Sequence, residues 1–285
     1  VIRPWLKLSV LCVALLACDP KVSSDAGGPS QGATQDAGVD PELVRFTTAD
    51  GWQIVGDLRV RQPRSLGVVF VHQLGSNRGE WARFAGRVAG SPLWLDSPGR
   101  FTTLAFDLRG HGESTTSADG TARWQSFGND RARWISLEHD VAAAVDLVRQ
   151  RALTTRIVIV ASGIGATAAA LYAARPGAPV AGLVLISPTM DARGINLVAP
   201  LTQYVRAQRP VLLVTASGDS ASSDCVRDVQ QAMSSADAGV GSDLLEVERY
   251  DNASAHGVAI GAEGVHPELW ARIDRFFADR MRVRR

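Results

Sequence analysis

Ser162, Asp219 and His256 are the residues whose types and order could carry out nucleophilic attack on an acyl carbon. That chemistry needs a nucleophile, a base within about 3 Å to take its proton, and an acid that orients and balances the base. Ser162 lies in Arg156–Arg175, RIVIVASGIGATAAALYAAR. The β-branched run Ile157–Val160 reads as a buried strand, Ala161–Gly165 as a tight turn of small residues, and Ala166–Ala174 as a helix of high propensity. Strand, sharp turn and helix form the setting in which a serine between small residues, G-x-S-x-G, presents its hydroxyl. Counted from the strand, that frame falls on Ala161-Ser162-Gly163-Ile164-Gly165. Gly163 then holds the nucleophile position and Ser162 comes one place early. Centring the frame on Ser162 instead would put Val160 and Ile164 where the strand and helix backbones must approach closely. The nucleophile's backbone in such a turn has a positive φ, which glycine takes without penalty.

Asp219 follows the apolar run Val211–Ala216 and fits the acid, the bland alternative being a cap of the turn Ser217-Gly218-Asp219-Ser220. His256, between Ala255 and Gly257, follows a strand and precedes a helix, and no apolar periodicity accounts for it. It fits the base, the bland alternative being a surface loop histidine. His72 ends a buried strand, where it would hydrogen-bond locally. His111 sits in a glycine turn, and His139 and His266 read as surface or structural residues. Their spacing has no metal-ligand signature, so neither metal nor other cofactor is expected.

Positioning these groups requires strands that end on one side. Val44–Thr48 and Trp52–Val60 flank the hairpin signal Asp50-Gly51. Strands and helices then alternate. Strand Gly67–His72 precedes helix Arg78–Ala89, which has Trp81, Phe84 and Val88 on one face. The loop Ser91–Arg100 leads to strand Phe101–Asp107. A long polar loop, Leu108–Arg133, carries Trp124 and Phe127, which could roof a pocket or pack as core. Ser136 is expected to cap a helix reaching Gln150. After the Arg156–Arg175 unit come strand Val180–Ile186, a helix over Leu197–Ala207 and strand Val211–Ala216. A helix over Ser222–Ser234, strand Leu244–Arg249 and helix Pro267–Arg280 complete the series. The order predicts an α/β fold, with a mostly parallel, doubly wound sheet, helices on both faces and an antiparallel N-terminal hairpin. In such sheets ligands meet the carboxyl ends of the strands, where all these candidates lie.

The chain has 285 residues, 46% hydrophobic and 21% charged, with a net charge of +1, which gives no sign of a nucleic-acid partner. Arg3 and Lys7 precede the apolar run Leu8–Ala17, which has the length of a signal-peptide core and is too short to span a bilayer. Leu15-Leu16-Ala17-Cys18 resembles a bacterial lipobox. The resemblance implies a signal peptide over residues 1–17, lipidation of Cys18 and a place in the bacterial cell envelope, exported and anchored to a membrane by lipid; a plain secretory signal or a tail-less membrane anchor is the alternative. Residues 18–42 are rich in Gly, Ser, Ala and Asp and read as a flexible tether. The folded domain is expected over residues 43–285, as a monomer. With Cys12 in the signal and Cys18 lipidated, Cys225 is left alone and reads as structural.

From Val44 onward the chain resembles the α/β-hydrolase fold family. GVVFVHQLGSNRGEW (Gly67–Trp81) is similar to its strand and oxyanion loop, with Gln73 where many members have glycine. TLAFDLRGHGES (Thr103–Ser114) is similar to its D-x-R-G-H-G-x-S segment. LVLISPTMDARG (Leu183–Gly194) and PVLLVTASGD (Pro210–Asp219) fall at the next strand ends, and SAHG (Ser254–Gly257) where the family keeps its histidine. The nearest likeness is to small, nearly lidless serine esterases with an H-Q-x-G-S loop; with only about two dozen residues between two successive strands, little or no lid is expected. The resemblance implies the order nucleophile, Asp219, His256, with oxyanion donors from the backbone N–H of Ile164 and of Leu74 or Gln73. The partner would be a small acyl substrate, with activity weakened or lost through Gly163. Ser162 reached through a rearranged turn, or water activated by His256, are the remaining routes. The alternative is a non-catalytic protein holding a small apolar ligand at the membrane surface.

Overall fold

A computed structural model describes residues 40–61, 63–90, 101–189, 191–235, 242–251 and 254–281. The expected signal peptide, Cys18, the tether up to residue 39 and the loop Ser91–Arg100 lie outside the described residues.

Among the described residues, ten strands form one sheet. The hairpin β1 (Glu42–Thr47) and β2 (Gln53–Arg59) is antiparallel and joins the sheet where β2 pairs with β4 (Phe101–Phe106). From β4 the sheet runs in parallel through β3 (Leu66–Val71), β7 (Ile157–Ser162), β8 (Val180–Ile186), β11 (Val211–Ala216) and β12 (Leu245–Tyr250). The chain thus has the mostly parallel sheet with an antiparallel N-terminal portion that the element order implies. β7 lies between β3 and β8, so its end opens at the middle of the sheet.

Alternate residues of the central strands feed opposite faces, the period-2 consequence of the pleat. Val68, Phe70, Val158, Val160, Val184 and Ile186 pack with helices α1 (Ala82–Gly90) and α7 (Glu268–Arg280) through Phe84, Val88, Ile273, Phe276 and Phe277. Val69, Val71, Ile157, Ile159, Leu183 and Leu185 face α3 (Leu137–Ala152), α4 (Ile164–Ala173), α5 (Val198–Arg206) and α6 (Ser220–Ser235). Burial on both faces is why these strands read as continuous apolar runs. Cys225 on α6 is fully buried, and burial pushes its thiol up to about 12, which keeps it a protonated packing group.

Three local expectations are corrected. The stretch Leu108–Arg133 contains the small hairpin β5 (Thr116–Ser117) and β6 (Gly120–Thr121), a 3₁₀ turn over Trp124–Phe127 and the start of α2 (Arg131–Ile135). Two-residue strands carry no periodicity that a sequence pattern could register. Ser136 does not cap α3: its backbone is helical and its hydroxyl donates to the Ala132 carbonyl, closing α2 instead. A second hairpin, β9 (Asp191–Ala192) and β10 (Ile195–Asn196), occupies the connection between β8 and α5. Of the two loop aromatics, Phe127 is buried against Trp134, and Trp124 stacks on His111.

Candidate active site

The end of β7 and the start of α4 are joined through Gly163, whose backbone sits at φ 52°, ψ −122°. Gly165, on the first turn of α4, lies against β3: a Cβ there would be 2.5 Å from the His72 carbonyl oxygen and 2.7 Å from that of Val71. Only glycine allows helix and strand so close, which fixes the frame of the turn. Ser162 is the last strand residue, fully buried, and its hydroxyl donates to Glu80 Oε1. It does not line the cleft. Gly163 does, together with Gln73, Leu74, Ile164 and His256.

His256 Nδ1 lies 2.7 Å from Asp219 Oδ2. An ionised carboxylate only accepts, so the ring N–H is on Nδ1 and Nε2 is left with its lone pair facing the cleft. Asp219 Oδ1 also accepts from the Ser222 N–H at 3.2 Å, so the residue caps α6 and orients the histidine at once. A Cβ on residue 163 would lie 3.3 Å from His256 Nε2 and 2.9 Å from Gln73 Cβ. A side chain at 163 would therefore point at the base, while the Ser162 hydroxyl is committed to Glu80.

The loop after β3 is tied down from several sides. His72 is fully buried; its Nδ1 lies 2.7 Å from the Gln73 carbonyl and its Nε2 accepts the Leu108 N–H at 2.9 Å, so Nδ1 carries the proton. Burial pushes its pKa down to about 3, keeping the ring neutral. The Gln73 N–H donates to Glu80 Oε2 at 3.3 Å, so of the two expected donors in this loop Gln73 is engaged elsewhere. Glu80 thus ties the loop to the base of the turn by accepting from both Gln73 and Ser162. At the far side, Gly257 donates its N–H to Ser187 Oγ at 2.9 Å, and Ser187 has a left-handed φ of 49° at the end of β8. This bond seats the loop that carries His256.

Behind the cleft, the segment after β4 is held by charge. Asp107 accepts from the Arg78 N–H and, at 2.5 Å, from its Nη1. Arg109 is buried, with its N–H, Nε and Nη2 on Asp140 and its Nη1 on Asp50 at 2.6 Å. Burial opposes the Arg109 charge, and the Asp140 and Asp50 carboxylates outweigh it.

The remaining lining residues are Asn129, Arg131, Thr189, Arg193 and Gly194, around a cleft of about 910 Å³. Glu80, Ser187, Arg131 and Arg193 escaped the sequence reading. A charged residue on an amphipathic helix reads as solvated, and a loop serine or arginine has no periodic signal. The strand-end position of Ser187 was the one clue available. Among the described residues, no cluster of His, Cys, Asp or Glu is placed to hold a metal ion.

A search of the curated proteins finds no match. Among solved structures the chain is similar to an esterase from Pyrococcus furiosus, at 16% identity and a TM-score of 0.64, covering 89% of this chain and 96% of that one. It is also similar to dienelactone hydrolase from Anabaena variabilis (16% identity, TM-score 0.58, 85% and 100% covered). A carboxyl esterase from Bacillus coagulans gives 12% identity and a TM-score of 0.57, with 86% and 100% covered. These likenesses carry the fold. The family model described as alpha/beta hydrolase fold matches residues 68–223, more than half of the sequence, from β3 through the carboxylate that orients His256. The chain belongs to the α/β-hydrolase fold family.

Proposed function

We propose that this protein is an esterase-type scaffold that holds a small acyl compound against His256 without forming an acyl-enzyme, because Gly163 stands where the covalent nucleophile would be. The observation that carries this reading is the backbone of Gly163, φ 52° and ψ −122° at the strand–helix junction, with its missing side chain directed at His256 Nε2. The carbonyl oxygen of the ligand would sit near the N–H groups of Ile164 and Leu74. Hydrolysis, where it occurs, goes through a water that gives its proton to His256 Nε2 as its oxygen bonds to the acyl carbon; the acyl–oxygen bond then breaks and the leaving alcohol takes that proton back from His256, while Asp219 steadies the ring. Loss of the nucleophile removes most of a triad's rate and leaves the weak catalysis of the surrounding site. The reading therefore combines binding with slow turnover. Ser162 as nucleophile is disfavoured by its burial and its bond to Glu80. Lipidation at Cys18, with the tether after it, would hold the domain at a membrane of the cell envelope.

The test is labelling with a serine-directed fluorophosphonate, read by mass spectrometry. The expected result is no adduct on the unmodified chain. An adduct at Ser162 that disappears in Ser162→Ala would overturn the proposal.

A further inference from the structure

Two walls of the cleft each contribute one arginine: Arg131 at the start of α2 and Arg193 in the turn between β9 and β10. Neither is in an ion pair among the described residues, whereas Arg78, Arg109, Arg272 and Arg280 are all matched to carboxylates. What orients the two is neutral. Arg131 Nε donates to the Gly194 carbonyl at 2.9 Å, and the Arg193 guanidinium lies over the Trp134 ring, 5.0 Å from its centroid. Arg193 takes a left-handed φ of 60° to reach that place. The carboxylate next to Arg131 in sequence, Asp130, is occupied elsewhere: it caps α2 through the Ala132 N–H and pairs with Arg133. Among the residues whose side chains are described, no aspartate or glutamate lines the cleft.

Two exposed guanidiniums around a cavity that no described carboxylate side chain lines raise the local concentration of anions and offer a planar fork to a carboxylate. We propose that the ligand carries a carboxylate, held between Arg131 and Arg193, in addition to the acyl group that faces His256. This rests on the function proposed above and narrows the ligand from a small acyl or apolar compound to an anionic one. Asn129 and Thr189, which line the same cleft, add neutral hydrogen-bonding groups beside the two charges.

The test is calorimetric titration of the full chain with the mono-methyl esters of straight-chain dicarboxylic acids from malonate to adipate, each beside its neutral dimethyl ester. The expected result is that at least one half-ester binds, that its dimethyl counterpart binds at least about tenfold more weakly, and that Arg131→Gln and Arg193→Gln each weaken the half-ester about tenfold. Arg227→Gln, which removes an exposed arginine on α6, leaves binding unchanged. Thermal melts of both cleft variants check that they remain folded. Equal binding of half-ester and diester, binding indifferent to both arginines, or no binding across the series overturns the inference. Fluorophosphonate labelling at Ser162 would overturn the proposed mode of action and leave this charge dependence standing, so the two failures are distinguishable.

Discussion

Ser162 and Gly163 are neighbours with opposite surroundings. The serine is sealed beneath the turn with its hydroxyl on Glu80, and the glycine faces the cleft 3.3 Å, at its Cβ position, from His256 Nε2. A serine moved by one residue should therefore gain what Ser162 lacks. In Gly163→Ser, hydrolysis of a short-chain p-nitrophenyl ester is expected to rise by about a hundredfold or more, and the fluorophosphonate adduct to appear at position 163. Gln73 Cβ, 2.9 Å from the new Cβ, is closer than two side-chain carbons can stand, and because it is next to the backbone the Gln73 loop itself must shift; adding Gln73→Gly should therefore raise the gain further. An unchanged rate in both variants would mean that His256 does not act as the base. The frame of the turn was legible because Ala161 and Gly165 are small where backbones meet. Glu80 was not: its partner Ser162 is 82 positions away, and nothing in the sequence encodes that distance.

At the scale of elements, the site depends on how the segment after β4 is fastened. Arg109 joins that segment to α3 through Asp140 and to the β1–β2 turn through Asp50. Asp140 is fully buried, and removing it leaves a buried guanidinium short of its main partner. Asp140→Ala is expected to cost about 3–5 kcal/mol, read as a lower urea midpoint. A change below about 1 kcal/mol would show that Asp50 alone balances Arg109. The long strands and helices were legible because burial on both faces makes β-branched runs, and one-sided burial places Trp81, Phe84 and Val88 at helical spacing. The hairpins β5–β6 and β9–β10 were not, since their pairing depends on the sheet edge and turn they attach to. The arginine that shapes the cleft, Arg193, is a product of just such a hairpin.

Over the whole molecule, the two-layered core closes around a neutral histidine. His72 is fully buried with a pKa near 3, against 6.5 for a free ring, and burial also lowers that of His111, whose ring lies 5.0 Å away. A depressed histidine pKa means that the unfolded chain takes up a proton that the folded one refuses. Stability is thus complete above about pH 6.5 and falls as the pH drops toward 3. From His72 alone the loss at pH 4.5 is on the order of 2–3 kcal/mol. Urea midpoints at pH 7 and 4.5 measure it, and equal midpoints would mean that the ring can be protonated in the folded state. This dependence was not legible in advance: the sequence marks His72 as the end of an apolar strand but says nothing of the Leu108 N–H that needs its lone pair.

The backbone at Gly163 has a consequence for the molecule's resilience as well as its chemistry. A side chain held at φ 52°, ψ −122° stores conformational strain, about 1–3 kcal/mol, that a working nucleophile carries as a standing load. Glycine carries none of it. The Gly163→Ser variant that gains turnover should therefore melt several degrees lower, and the unmodified chain holds a hydrolase turn in its relaxed form.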